Sequence, residues 1–109
     1  MKLSEVAPEL AKYFAARGTA MPDVLQKALL FGSYARGDAR VGSDIDIALV
    51  AHAPWETAQR SQMRDWLEDF NSNLVVNPFF TTTDKLAENE DKFDANYWIA
   101  REGVLLWER

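Results

Sequence analysis

Residues 30–50 read LFGSYARGDARVGSDIDIALV, and no other stretch restricts the fold as strongly. An apolar run stops at Gly32-Ser33, the chain turns through glycines and charges, and a second apolar run follows with Asp44 and Asp46 at its start. Side chains at i and i+2 of a strand share a face, so the two acids project together while Ile45 and Ile47 point the other way into a core. Carboxylates held side by side on a half-buried face repel, so at least one is expected to hold its proton or be neutralised by a cation between them. Paired hard oxygen donors suit Mg²⁺, which takes one or two carboxylates and completes its shell with water and substrate phosphates. At the end of the preceding strand, glycine lets the backbone approach a ligand. Ser33 offers a hydroxyl and an N–H there, at the start of a short helix whose terminus carries partial positive charge. A phosphate cradle and a metal platform are therefore expected on neighbouring strand ends.

Hydrophobic periodicity assigns the rest of the chain. Leu3, Val6, Leu10 and Phe14 recur at helical spacing, with Gly18 as a stop. VLQKALLF (24–31) and IDIALV (45–50) read as strands, and Pro54 stands where a helix favours its first turn. Met63, Trp66, Leu67 and Phe70 make one helix face, which predicts a helix over 55–70. LVV opens a third strand in which Pro78 indicates an edge position. Thr83 or Asp84 is expected to cap a last helical region that holds Phe93, Tyr97 and Trp98 and carries the run AENEDKFD as a solvated face. Gly103 interrupts it before the apolar VLLW. The expectation is an α+β fold of layered type, a small sheet of three strands packed against helices, in which the pattern does not decide whether the third strand runs parallel to its neighbour.

With 109 residues, 48% of them hydrophobic, the chain is expected to form a single domain over 1–109 with a real core. Its net charge of -5 repels nucleic acid, so no direct nucleic-acid binding is expected. There is no cysteine, which removes disulfides and thiolate metal sites. MKLSEVAPELAKYF is not a secretory signal, and no run approaches the roughly 20 apolar residues of a membrane span, so a soluble cytoplasmic protein is expected. His52, the sole histidine, reads as a surface or strand-end residue, and Trp98 and Trp107 read as a partner surface.

The combined spacing, Gly-Ser, ten residues, then Asp-x-Asp, resembles the nucleotidyltransferases related to DNA polymerase beta. Within them it is similar to the minimal nucleotidyltransferases, the antitoxin-like partners of HEPN-domain proteins. REGVLLWE near the C-terminus looks like that family's usual ending. The resemblance implies a nucleotidyltransferase fold in which Gly32 and Ser33 bind the nucleoside triphosphate and Asp44 and Asp46 are catalytic, holding Mg²⁺. In a two-metal displacement one ion lowers the pKa of the attacking hydroxyl and the other steadies the phosphates. Arg36 and Arg40 are candidate phosphate contacts, because a guanidinium pairs with two oxygens at once.

The activity so implied is Mg²⁺-dependent transfer of AMP from ATP to a hydroxyl. The expected acceptor is a HEPN-domain toxin held in a hetero-oligomer and silenced by the modification. The family's third acid, on the strand after the crossover helix, is not found in NLVVNPFF, where Asn73 and Asn77 stand instead. An amide oxygen brings no charge and is no base at neutral pH. That motivates an alternative, a binding module that neutralises its partner by contact alone. Transfer to a small molecule is a further alternative.

Overall fold

The computed structural model describes residues 2–17, 20–71, 73–88 and 90–109, so Gly18, the expected stop of the first helix, lies outside the described residues. A 3₁₀ turn, Leu3–Glu5, leads into α1 (Val6–Arg17). There follow β1 (Leu25–Phe31), α2 (Ser33–Arg36), β2 (Ile45–Ala51), α3 (Thr57–Glu68), β3 (Val76–Thr82), α4 (Thr83–Glu88), α5 (Ala95–Glu102) and β4 (Val104–Glu108). The four strands form one sheet in the order β3-β2-β1-β4. β1 runs antiparallel to both β2 and β4, while β2 and β3, joined through α3, run parallel. The mixed sheet layered with helices agrees with the expected α+β class, and β3 is an edge strand, as Pro78 requires.

Four local expectations are corrected. VLLW is a fourth strand, because its residues pair with β1 at the free edge. The helix expected over 55–70 spans Thr57–Glu68, and Pro54 lies ahead of its first turn. Trp55 is excluded from that helix because its indole is used elsewhere: Nε1 donates to the backbone carbonyls of Leu49 (3.1 Å) and Thr81 (3.0 Å). The last helical region is two helices, and of the acidic run residues 90–94 lie between them, not on a helix face. Asp91 accepts from the N–H of Phe93 (2.9 Å), and Asp94 caps α5 by accepting from the N–H of Asn96 (2.8 Å). Side chains that bond the local backbone compete with helix formation and break it there.

Both faces of β2 are covered. Ile45, Ile47, Leu49 and Ala51 pack with Val6, Leu10 and Phe14 of α1 and Met63 and Leu67 of α3. Ala48 and Val50 pack on the opposite face with Leu29 and Ile99, flanked by Phe31, Phe79, Leu86 and Ala95 from β1, β3, α4 and α5. A side chain buried to this degree contributes about 1.5–3 kcal/mol. Alternation therefore puts Asp46 on the α4–α5 face. A buried bond between Thr81 and Asn96 anchors α5 to β3 there. Among the described residues no helix is long and apolar enough to cross a membrane.

The Trp55 indole clamps the ends of β2 and β3 by donating to both. Trp55→Phe leaves two buried carbonyls without that donor and is expected to lower stability by about 2 kcal/mol. Urea denaturation of the two proteins measures the difference; an unchanged midpoint would mean that water replaces the indole.

Candidate functional site

β1 ends where Gly32 takes φ +74° and ψ -151°, a conformation essentially confined to glycine. The residue is also required sterically: a Cβ at this position would run into Asp46 Oδ2. The chain then closes one helical turn, with the N–H groups of Ala35 and Arg36 donating to the Gly32 carbonyl at 3.1 Å each. Gly37, at φ +83°, ends it, its N–H donating to Ser33 O at 3.0 Å. A tight turn brings the chain back, with Arg40 N–H donating to Ser43 Oγ and Ser43 N–H to Arg40 O, both at 2.9 Å. Asp44 follows immediately, and the next residue is tied to the neighbouring strand by Ile45 N–H donating to Val75 O at 2.8 Å.

Register then assembles the acids. Asp46 lies opposite Phe31 on the antiparallel side and beside Asn77 on the parallel side. The Asn77 amide reaches across and donates to Asp44 Oδ2 at 3.0 Å. The Asp46 carboxyl is held above its ordinary pKa, first by desolvation and then by the charge of Asp44, while the neighbouring Asn77 amide and the charge of Arg36 pull it down. Partly desolvated, mutually repelling carboxylates are relieved by a dication, and their hard oxygens match Mg²⁺. The donor set therefore fits a divalent metal.

A cleft of about 470 Å³ opens over this face. Gly32, Ser33, Arg36, Asp44 and Asp46 all line it, so five of the six residues singled out from the sequence as metal or phosphate contacts come together. Arg36 is engaged there, its Nε 3.3 Å from Asp38 and its Nη1 3.8 Å from Glu102. Arg40 is not part of the lining. His52 is at the far end of β2, beside a second cavity of about 220 Å³ with Arg60, Asp84 and Lys85. Asn73 sits in the turn before β3, its N–H donating to Asn71 Oδ1 at 2.9 Å, and does not reach the cleft.

Trp98 and Glu102 of α5, with Ala95, complete the wall. The sequence reading placed Trp98 on a partner surface and did not single out Glu102. The available signal was the small Ala48 on the face that Asp46 shares, which calls for a covering helix without saying which one.

The sequence matches the family described as "Polymerase beta, Nucleotidyltransferase" over residues 19–109. No curated protein matches the chain. Among solved structures it is similar to a chain of a toxin–antitoxin with AMP-PNP, at 22% identity and a TM-score of 0.65, covering 91% of this chain and 73% of that one. A Sulfolobus solfataricus chain described as a nucleotidyltransferase gives 21% identity and a TM-score of 0.60, with coverages of 98% and 84%. A chain of a Shewanella oneidensis complex, tri-AMPylated HEPN toxin with MNT antitoxin, gives 18% and 0.59, with coverages of 94% and 73%. At these identities the likenesses show a shared fold.

Proposed function

The chain belongs to the polymerase beta nucleotidyltransferase family, and on that premise we propose that it is a Mg²⁺-dependent adenylyltransferase, the antitoxin of a HEPN/MNT pair. It moves AMP from ATP to a hydroxyl of its HEPN-domain partner. The whole chain, 1–109, is read as one nucleotidyltransferase domain. The observation that carries the proposal is the meeting of Asp44 and Asp46 with the Gly32-Ser33 turn in one cleft. The solved toxin–antitoxin relatives, one with AMP-PNP and one with an AMPylated HEPN toxin, support the choice of nucleotide and partner.

In this reading Asp44 and Asp46 hold the metal, and Asn77 orients Asp44 by donating to Oδ2. A divalent ion held there would neutralise phosphate charge and lower the pKa of the acceptor hydroxyl. Gly32 allows the backbone to approach the triphosphate, Ser33 offers it a hydroxyl, and Arg36 exchanges its ion pairs with Asp38 and Glu102 for phosphate oxygens. The acceptor oxygen, losing its proton to water, forms its bond to the α-phosphorus as the bond to the bridging oxygen breaks and pyrophosphate leaves.

Intact mass spectrometry of the complex after incubation with Mg²⁺-ATP tests the proposal. The partner is expected to gain the mass of whole AMP units. An unchanged partner mass, with the complex intact, would reject transfer to it.

Asn77 favours a second reading. It stands beside Asp46 where a third carboxylate would add charge, so partner neutralisation by contact alone is the competing function. That reading requires Asp44→Asn to leave neutralisation intact, whereas transfer requires its loss. The same position supplies a gain-of-charge prediction. Ligand charge tunes the affinity of oxygen sites for divalent cations, so Asn77→Asp is expected to tighten Mg²⁺ binding about tenfold. Calorimetric titration with Mg²⁺ measures this; unchanged affinity would place residue 77 outside the metal's reach.

A further inference from the structure

Trp98 is 45% exposed, yet its polar edge is already satisfied, since Nε1 donates to the Lys92 carbonyl at 2.8 Å. What it offers solvent is ring surface. The indole is also held in place: it meets Tyr97 edge-on at 5.0 Å, and Arg101 lies over the Tyr97 ring at 3.5 Å. α5 itself is fixed to the sheet by buried Ile99 and by the bond between Asn96 and Thr81. A half-exposed ring, held by these contacts, therefore stands in the wall of the cleft lined by Asp44, Asp46, Gly32 and Ser33. Phe31, the other aromatic of that wall, is committed to the core, packing edge-on against Phe79 at 6.2 Å.

We propose that the indole of Trp98 is the platform on which the nucleobase stacks, which makes it the residue that favours purine over pyrimidine nucleotides. The inference rests on the nucleotide-site reading above and adds to it where the base lies. A preorganised aromatic loses little entropy on binding, and every base presents a π face to it. Larger purines cover more of the ring than pyrimidines do. The volume of the cleft falls within the roughly 300–1,000 Å³ of sites that hold small ligands.

The test is calorimetric titration of the full chain, in Mg²⁺, with ATP, CTP and inorganic tripolyphosphate, comparing wild type with Trp98→Ala and Trp98→Phe. Base stacking on an aromatic predicts that Trp98→Ala weakens ATP roughly ten- to a hundredfold. Tripolyphosphate binding stays within about twofold of wild type in that variant, which reports an intact triphosphate cradle. Trp98→Phe keeps most of the ATP affinity, and wild type prefers ATP to CTP. ATP binding unaffected by Trp98→Ala, or weakened equally with tripolyphosphate, would overturn the platform, the first result returning Trp98 to a partner surface. Wild type that binds tripolyphosphate as tightly as ATP keeps the nucleotide site and rejects only the platform. Wild type that binds neither rejects both.

Discussion

Asp46→Asn is expected to abolish nucleotide transfer while making the metal-free protein more stable. A carboxylate that holds a catalytic dication contributes several kcal/mol to the transition state, and a loss of about 4 kcal/mol slows transfer about a thousandfold. The stability change has the opposite sign because the folded protein holds this carboxyl above its ordinary pKa of 3.8, mainly through desolvation and then through Asp44. Between that value and the raised one, the native state binds more protons than the unfolded chain. Stability therefore falls as pH rises through the window and stays lower above it.

An amide removes the desolvated charge. Relieving one contact between like charges of this kind is worth about 0.5 kcal/mol, so the variant should melt about 2–4 °C higher at pH 7 in a chelator. Below the ordinary carboxylate range the two proteins should converge. Thermal melts across pH, with transfer assayed in parallel, read both signs. A variant that loses activity and also melts lower would make Asp46 a part of the scaffold.

Gly32→Ala is expected to damage both stability and transfer. The backbone conformation there costs a non-glycine residue about 1–3 kcal/mol, equivalent to a fall of about 5–15 °C in melting temperature. The new Cβ would also collide with Asp46 Oδ2, so the carboxylate must move. Displacing a reacting group by about 1 Å can slow a reaction about a hundredfold, and transfer should fall by that order even well below the melting point. Gly37→Ala separates strain from collision. Gly37 also has positive φ, but a Cβ there would meet nothing within 4 Å. It should lose stability by about 1–2 kcal/mol and retain transfer. Equal losses of transfer in the two variants would mean that turn strain, and not contact with Asp46, explains the Gly32 effect.

Much of the local geometry of the candidate site was legible before the fold was known. The alternation of Ile45 and Ile47 with Asp44 and Asp46 is local, and the structure keeps it, with both isoleucines buried in the core with α1 and α3. Gly32 and Gly37 announced a turn, and the turn is there. Local patterns failed where a segment's state depended on a distant partner. VLLW is a strand because β1 offers it an edge, and Trp55 lies outside α3 because two carbonyls of the sheet take its N–H.

By itself, then, the sequence determined the strand period, the shared face of the two acids and the glycine turn, all of which follow from backbone geometry within a few residues. The family signature it carried as a resemblance, in the spacing of Gly32-Ser33 to Asp44 and Asp46. Only the tertiary structure decided that β3 lies parallel to β2 with Asn77 beside Asp46, and that α5 brings Trp98 and Glu102 to the cleft. The physical reason is that strand register and helix docking are chosen by packing across the whole core. The segments involved are far apart in the chain, and neither one's own pattern identifies its partner.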